Sequence, residues 1–209
     1  MIRGFVKVLA GWPPVFDGLR WILECGYSGH KQIIRDDISS GQGPVLDFGC
    51  GTGIYAKFFK QEEYTGVDLN EQYIRAAQVK FPGYRFIAMD GRRLVFPDGS
   101  FDRCFVSGVF HHLDDTVSDT VLREIKRVLK PGGLFVVWED IPARSSLNFV
   151  GHLIHRLDEG RFIREPEAYG RLFKKHFTLT KEYGMRSGFM DYQVFTFKKI
   201  PREAFANVA

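Results

Sequence analysis

The chain has 209 residues, 44% hydrophobic and 26% charged, which suits one compact domain with an ordinary core and excludes a disordered or multi-domain chain. No apolar run is long enough to span a bilayer, and Pro13-Pro14 breaks the short apolar N-terminal stretch, so a signal peptide is not expected. Three cysteines, Cys25, Cys50 and Cys104, share no metal-type spacing and leave an odd count; this favours a reducing, cytoplasmic setting over a disulfide framework or structural zinc.

In chain order, residues 16–38 read as helix with a break near Gly26 and Gly29. Val45, Leu46 and Phe48 suit a buried first strand over 44–48. A loop with glycine at 49, 51 and 53 follows, then a helix over 53–60. A second strand covers 64–68. Asn70 can cap a helix that runs towards Phe81 and stops before Pro82. Further strands are expected at 84–88 and 101–107. Asp115 can cap a helix with the stripe Val117, Val121, Leu122, Ile125, Val128 and Leu129, ended by Pro131-Gly132-Gly133. A fifth strand spans 134–138. Residues 145–157 show helical spacing, and Pro166 opens another helix to Lys175. Two strands near 177–183 and 190–198 form a hairpin. Strands alternating with helices imply an α/β fold with a doubly wound, mostly parallel sheet, and the closing hairpin makes one strand antiparallel.

Ligands of such sheets sit beyond the carboxyl ends of the strands. The glycine spacing narrows the ligand class. A dinucleotide loop reads Gly-x-Gly-x-x-Gly; counted from Gly49 this needs glycine at 54, where Ile54 stands. Asp68 ends the second strand, where an acidic residue can hold ribose hydroxyls.

Asp47-Phe-Gly-Cys-Gly-Thr-Gly53, Gly66-Val-Asp-Leu-Asn70, Ala88-Met-Asp-Gly91, Phe96 to Asp102 leading into Cys104 to Gly108, Val109-Phe-His-His-Leu113 and Glu124 to Gly133 occur in this order. Together they resemble the class I S-adenosylmethionine (SAM) methyltransferases, in the small-molecule branch that includes quinone-biosynthesis C-methyltransferases. The resemblance covers residues 44–140 and is weak on either side. It implies a seven-stranded sheet, SAM as cofactor and S-adenosylhomocysteine (SAH) as product. The domain would divide into an N-terminal helical cap (1–43), a SAM-binding core (44–140), a lid (141–165) and a C-terminal helix and hairpin (166–209).

The resemblance also implies roles. The Gly49, Gly51, Gly53 loop would lie under the methionine half of SAM, with the amides of the following helix near its carboxylate. Asp47 would either accept from the SAM ammonium or cap the loop amides. Asp68 would take the ribose diol, Leu69 would cover one adenine face, and Asp90 and Gly91 would meet the adenine edge. The Ser107 carbonyl would face the ammonium near the transferred methyl. Tyr27 and His30 would close over SAM. His111 and His112 would serve either as general bases or as wall of the SAM site. No metal is implied: Glu139-Asp140 ends the fifth strand, but the fourth supplies no carboxylate partner.

Acceptor identity rests on the poorly matched regions. Residues 145–164 carry Phe149, His152, Leu153, His155, Arg156, Leu157, Arg161 and Arg164, the pattern of a lid with apolar and cationic faces. Residues 141–209 hold 12 basic and 7 acidic groups, against 17 and 18 in residues 1–140. A small-molecule or lipid-like acceptor, anionic or apolar and aromatic, is therefore expected, with nucleic acid disfavoured and peripheral membrane association left open. Oligomeric state is not readable. A non-catalytic SAM-binding or partner-binding module on the same fold is the alternative.

Overall fold

A computed structural model describes residues 13–145, 147–157 and 161–200, with side chains described for 17–145, 147–153 and 161–200. Seven strands form one sheet: β1 Val45–Phe48, β2 Tyr64–Asp68, β3 Arg85–Ala88, β4 Phe101–Ser107, β5 Leu129–Asp140, β6 Thr178–Ser187 and β7 Met190–Lys198. Their spatial order is β3-β2-β1-β4-β5-β7-β6. The first five pair in parallel, and β7 runs antiparallel to both β5 and β6. Chain order reverses at β1, so the crevice beyond the ends of β1 and β4 is the topological switch point.

Helices cover both faces. On one side lie α1 Pro13–Leu23, α2 Ser28–Ile33, continued by a π-helical turn Ile34–Ile38, and α3 Glu71–Lys80. Ile33, Ile34, Ile38, Ile74 and Ala77 from this layer pack with Val45, Phe105, Val136 and Trp138 of the sheet. On the other side lie α4 Asp115–Val128 and α6 Pro166–Lys174. Val121, Leu122, Ile125, Leu172 and Phe173 pack there against Leu46, Val106, Phe135 and Val137. Alternate residues of β1, β4 and β5 feed opposite cores, which explains their near-continuous apolar character. A further helix, α5 Phe149–Leu157, follows the carboxyl end of β5.

Three local expectations need correction. The helix expected over 53–60 is only a 3₁₀ turn, Ala56–Phe58, and Phe59 is already extended. Half of its residues, Ile54, Tyr55, Phe58 and Phe59, are β-branched or aromatic, and Gly53 opens it; the Tyr55 hydroxyl is drawn inward to His30 Nδ1. The cap of α4 is Asp114, not Asp115; its carboxylate accepts from the Val117 amide at 2.8 Å. That helix ends at Val128, and Pro131-Gly132-Gly133 lies within β5. A register shift between Phe101 and Arg103 absorbs the extra residues: Leu129 pairs with Phe101 and Leu134 with Arg103. Asn70 caps α3 as expected, accepting from the Gln72 and Tyr73 amides.

Candidate functional site

The three glycines of the loop after β1 have positive φ, at +75°, +52° and +72°, a region open chiefly to glycine. Their surroundings separate them. A Cβ on Gly49 would lie 2.3 Å from Val109 Cγ2, and one on Gly53 would lie 2.6 Å from the Phe86 ring. Both are packing positions. A Cβ on Gly51 would meet nothing within 4 Å. Gly51 thus turns a bare backbone towards open space at the head of the crevice. Gly91, by contrast, lets Phe48 pack beneath it, since a Cβ there would fall 2.2 Å from the ring.

The loop is pinned from two sides. Asp68 Oδ2 accepts from the Gly51 amide at 2.8 Å, and its Oδ1 accepts from the Asn70 amide at 2.8 Å. From α1, the Asp17 carboxylate accepts from the Thr52 hydroxyl at 2.6 Å and pairs with Lys80 at 3.0 Å. Asp68, rather than Asp47, holds the loop amide. Beside it the Leu69 side chain is exposed. Burial pushes the Asp68 carboxyl up, and the amides of Asn70, Gly51 and Leu69 oppose that shift.

Asp47 lies under the loop, almost fully buried. Its Oδ2 accepts from the Tyr64 hydroxyl at 2.6 Å, while Oδ1 has no hydrogen-bond partner among the described residues. Burial pushes its carboxyl from 3.8 to about 8, against the Tyr64 hydrogen bond and with the help of the Asp68 charge. The folded chain therefore keeps a proton that the unfolded chain releases across this window. Stability from Asp47 is full below pH 3.8 and is lost as pH rises towards about 8. Denaturation across this range should show that decline, and Asp47→Asn should flatten it. An equal slope in the variant would contradict the account.

At the third strand the Asp90 carboxylate is clamped by Arg92, with Oδ1 and Oδ2 at 3.1 and 2.9 Å from Nε. That hydrogen-bonded pair holds its carboxyl below the usual range. Asp90 still lies at the crevice edge, but any further donor has to share it with Arg92.

The turn after β4 is organised by Glu139, near the end of β5. Its Oε1 accepts from the amides of Val109 and Phe110, each at 2.9 Å. Its Oε2 accepts from the His111 amide at 3.1 Å and lies 3.0 Å from His111 Nδ1. His111 is buried and fixed by this carboxylate; His112 is exposed, with its ring 4.0 Å from that of His111. Ser107, which ends β4, is buried, with its Oγ 3.4 Å from the Tyr55 hydroxyl.

Tyr27 and His30 lie beside Tyr55. Both are buried, His30 fully, and their rings pack against that of Tyr55. The Trp138 indole N–H donates to His30 Nδ1 at 3.3 Å. Indole can only donate, so Nδ1 is the acceptor and Nε2 carries the proton. Nε2 lies 2.7 Å from Glu24 Oε2. Burial raises the Glu24 carboxyl, but Arg20 and His30 outweigh it and hold it at about 2. Tyr27 has φ +58°, rare for a bulky residue, and stands edge-on to Tyr55 under the Arg20 guanidinium. Sequence reasoning missed Glu24 and Tyr55, because both polar groups sit in apolar helical patterns.

The cationic face expected over 145–164 is divided. Arg164 is a staple: it donates to the carbonyls of Phe110 and Leu113 at 2.8 and 2.7 Å and pairs with Asp115 at 2.7 Å. It holds the segment to the post-β4 turn. Phe149, His152, Leu153 and Arg161 are exposed. The side chains of His155, Arg156 and Leu157 lie outside the described residues.

Gly51 can be tested directly. Gly51→Ala should lower SAH affinity ~10-fold or more while the sheet stays folded, because the methyl fills the open space and strains the backbone. Gly132→Ala is the control. Gly132 also has positive φ, +75°, and open space at its Cβ, but lies in the early part of β5. Equal affinity losses in the two variants, by calorimetry, would reduce the effect to backbone strain.

The chain is similar to known methyltransferases. A methyltransferase domain family matches residues 46–137. A demethylmenaquinone methyltransferase of Thermotoga maritima is 31% identical over 144 residues, covering 66% of this chain and 62% of that protein. A fatty-acid O-methyltransferase of Mycolicibacterium smegmatis is 36% identical over 119 residues, covering 54% and 42%. The chain thus spans about three fifths of the first relative and less of the second. The N-methyltransferase NodS of Bradyrhizobium japonicum, solved with SAH, superposes with a TM-score of 0.66 at 19% identity, over 83% of this chain and 87% of that one, a likeness of fold. The ordered motifs, the seven-stranded sheet and these matches identify residues 46–137 as a methyltransferase domain of the class I SAM-dependent type.

Proposed function

We propose that the protein transfers a methyl group from SAM to a small, lipid-like acceptor. The single observation that carries the cofactor half is Gly51: a backbone held by Asp68 at the switch point, facing space that any Cβ would enter. Asp68 is close enough to that space to offer its remaining lone pairs to a ribose diol, with Leu69 exposed beside it as an apolar cover. Asp47, with one unpartnered buried oxygen, would take an ammonium, directly or through water, and ionise as it did so. The Ser107 carbonyl, Asp90 and the Gly91 amide complete the proposed set. The short turn after Gly53 offers no helix terminus, so a carboxylate would rely on loop amides alone.

SAM supplies a sulfonium methyl that is electrophilic without further activation. The chain's contribution is then orientation and exclusion of water. Glu139 and Arg164 fix the post-β4 turn, and His111 lines it. With its Nδ1 held by Glu139, His111 serves as positioned wall, which leaves His112 as the exposed imidazole of the pair. A lipid-like acceptor is supported by the names of the relatives, demethylmenaquinone and fatty-acid methyltransferases, and by the apolar side chains of α5.

The test is incubation with methyl-labelled SAM and a fractionated lipid extract, read by mass spectrometry. A labelled lipid product is expected, absent with Asp68→Ala. Label found only in polar metabolites would overturn the lipid acceptor. SAM binding without any labelled product would favour the non-catalytic alternative.

A further inference from the structure

Two helices at the carboxyl edge of the sheet expose apolar stripes. On α1, Leu19 and Ile22 are one turn apart, and Ile22 is 64% exposed. On α5, Phe149, Val150 and Leu153 share a face, with Phe149 74% and Leu153 56% exposed. Positions three and four apart fall on one side of a helix. In a settled domain such stripes face a core; these face outward.

The stripes are joined through the β6–β7 turn. The Phe189 amide donates to the Leu23 carbonyl at 3.0 Å, and the Asn148 side-chain amide donates to the Phe189 carbonyl at 2.7 Å. The Ser187 hydroxyl donates to the Glu24 carbonyl at 2.9 Å. Phe189, itself exposed, sits between the stripes. Because Asp140 pairs with Tyr192, this turn lies at the same sheet edge as the Gly51 loop. The apolar rim therefore stands at the end of the sheet where the acceptor enters.

Charge indicates what covers it. Arg186 is exposed and donates to the Gly188 carbonyl within the turn, and Arg144, beyond the end of β5, is exposed and donates to Gln193 Oε1 at 3.0 Å. The acidic groups beside them, Glu24 and Asp191, are buried. Apolar fingers with an aromatic component, flanked by exposed arginines, are the composition of a surface that enters the interface of an anionic bilayer.

We propose that this rim, formed by α1, α5 and the β6–β7 turn, docks on an anionic membrane surface and presents the crevice to lipid-borne acceptors. The delivery of acceptor rests on the proposed function; the docking does not. Among the described residues no helix is long and apolar enough to cross a membrane, so the contact would be interfacial.

The test is flotation of the full chain with phosphatidylcholine vesicles, with and without phosphatidylglycerol. The wild type should float with the phosphatidylglycerol vesicles, less so at high salt. Phe149→Ser with Leu153→Ser should lower binding ~10-fold or more, and Arg186→Gln should reduce the preference for anionic lipid. These side chains are exposed, so folding should persist, and SAH calorimetry on the same variants should be unchanged. Failure of the wild type to float would overturn docking while leaving the cofactor assignment intact. Flotation of the double variant like wild type would also overturn it. So would concentration-dependent self-association that the same double variant abolishes, since the rim would then be a contact between copies. Loss of SAH binding in the wild type would instead strike the proposed function.

Discussion

Asp68→Ala is expected to reduce SAM and SAH affinity by ~100-fold or more. The side chain accepts from the Gly51 and Asn70 amides, each at 2.8 Å. It is also the acidic group at the end of β2 best placed for a ribose diol. Hydrogen bonds to a charged group contribute about 1.5–3 kcal/mol each, and two lost at the ribose already reach that factor. Loosening of the Gly51 backbone adds to it. Asp68→Asn keeps an acceptor for one amide but not the charge, so it should fall between wild type and alanine. Calorimetry with SAH reads both variants. Affinity within a few-fold of wild type in Asp68→Ala would remove Asp68 from the site.

Glu139→Ala should give the largest loss of stability among the single changes considered. One buried carboxylate satisfies the amides of Val109, Phe110 and His111 and the His111 imidazole. A buried donor left without an acceptor costs about 1–3 kcal/mol, and several are orphaned together. The sum, about 4 kcal/mol or more, is a large part of the 5–15 kcal/mol typical of a domain. Glu139→Gln retains one carbonyl acceptor and should recover part of the loss. Urea unfolding followed by circular dichroism measures it. A midpoint close to wild type for Glu139→Ala would show that water replaces the carboxylate and that the turn is not built on it.

Strand positions and pairing class were readable because the relevant signals are local. Val45 to Phe48 and Phe101 to Ser107 are apolar runs between turn residues, and Asn70 and Pro166 mark helix starts by side-chain chemistry. The glycine triplet was readable as a tight loop after the first strand, but not which glycine faces open space: Gly49 and Gly53 are set by Val109 and Phe86, neighbours far along the chain. The failed helix after Gly53 has the same origin. Its apolar spacing was helical, but Tyr55 is bonded to His30, 25 residues away, and tertiary contact overrode a weak local preference.

Long-range polar contacts account for most of the remaining differences. Arg164 looked like part of a cationic lid face, yet it ties its segment to the carbonyls of Phe110 and Leu113, about fifty residues earlier. Glu139 followed a buried strand and had no local signal beyond its position; its partners lie 28 to 30 residues before it. His30 was placed at the site by its position upstream of the glycine loop, whereas Trp138 and Glu24 turn both of its nitrogens into the protein. Asp47 and Asp68 exchange the role of holding the loop amide because Asp47 points beneath the sheet edge, to Tyr64.

The most direct test of the cofactor assignment is titration calorimetry of the wild-type chain with SAH and, separately, with NAD. The open Gly51 position and the spacing that puts Ile54 where a dinucleotide loop needs glycine predict saturable SAH binding, abolished by Asp68→Ala, and no measurable heat with NAD. Tight NAD binding, or no SAH binding by a folded chain, would contradict it.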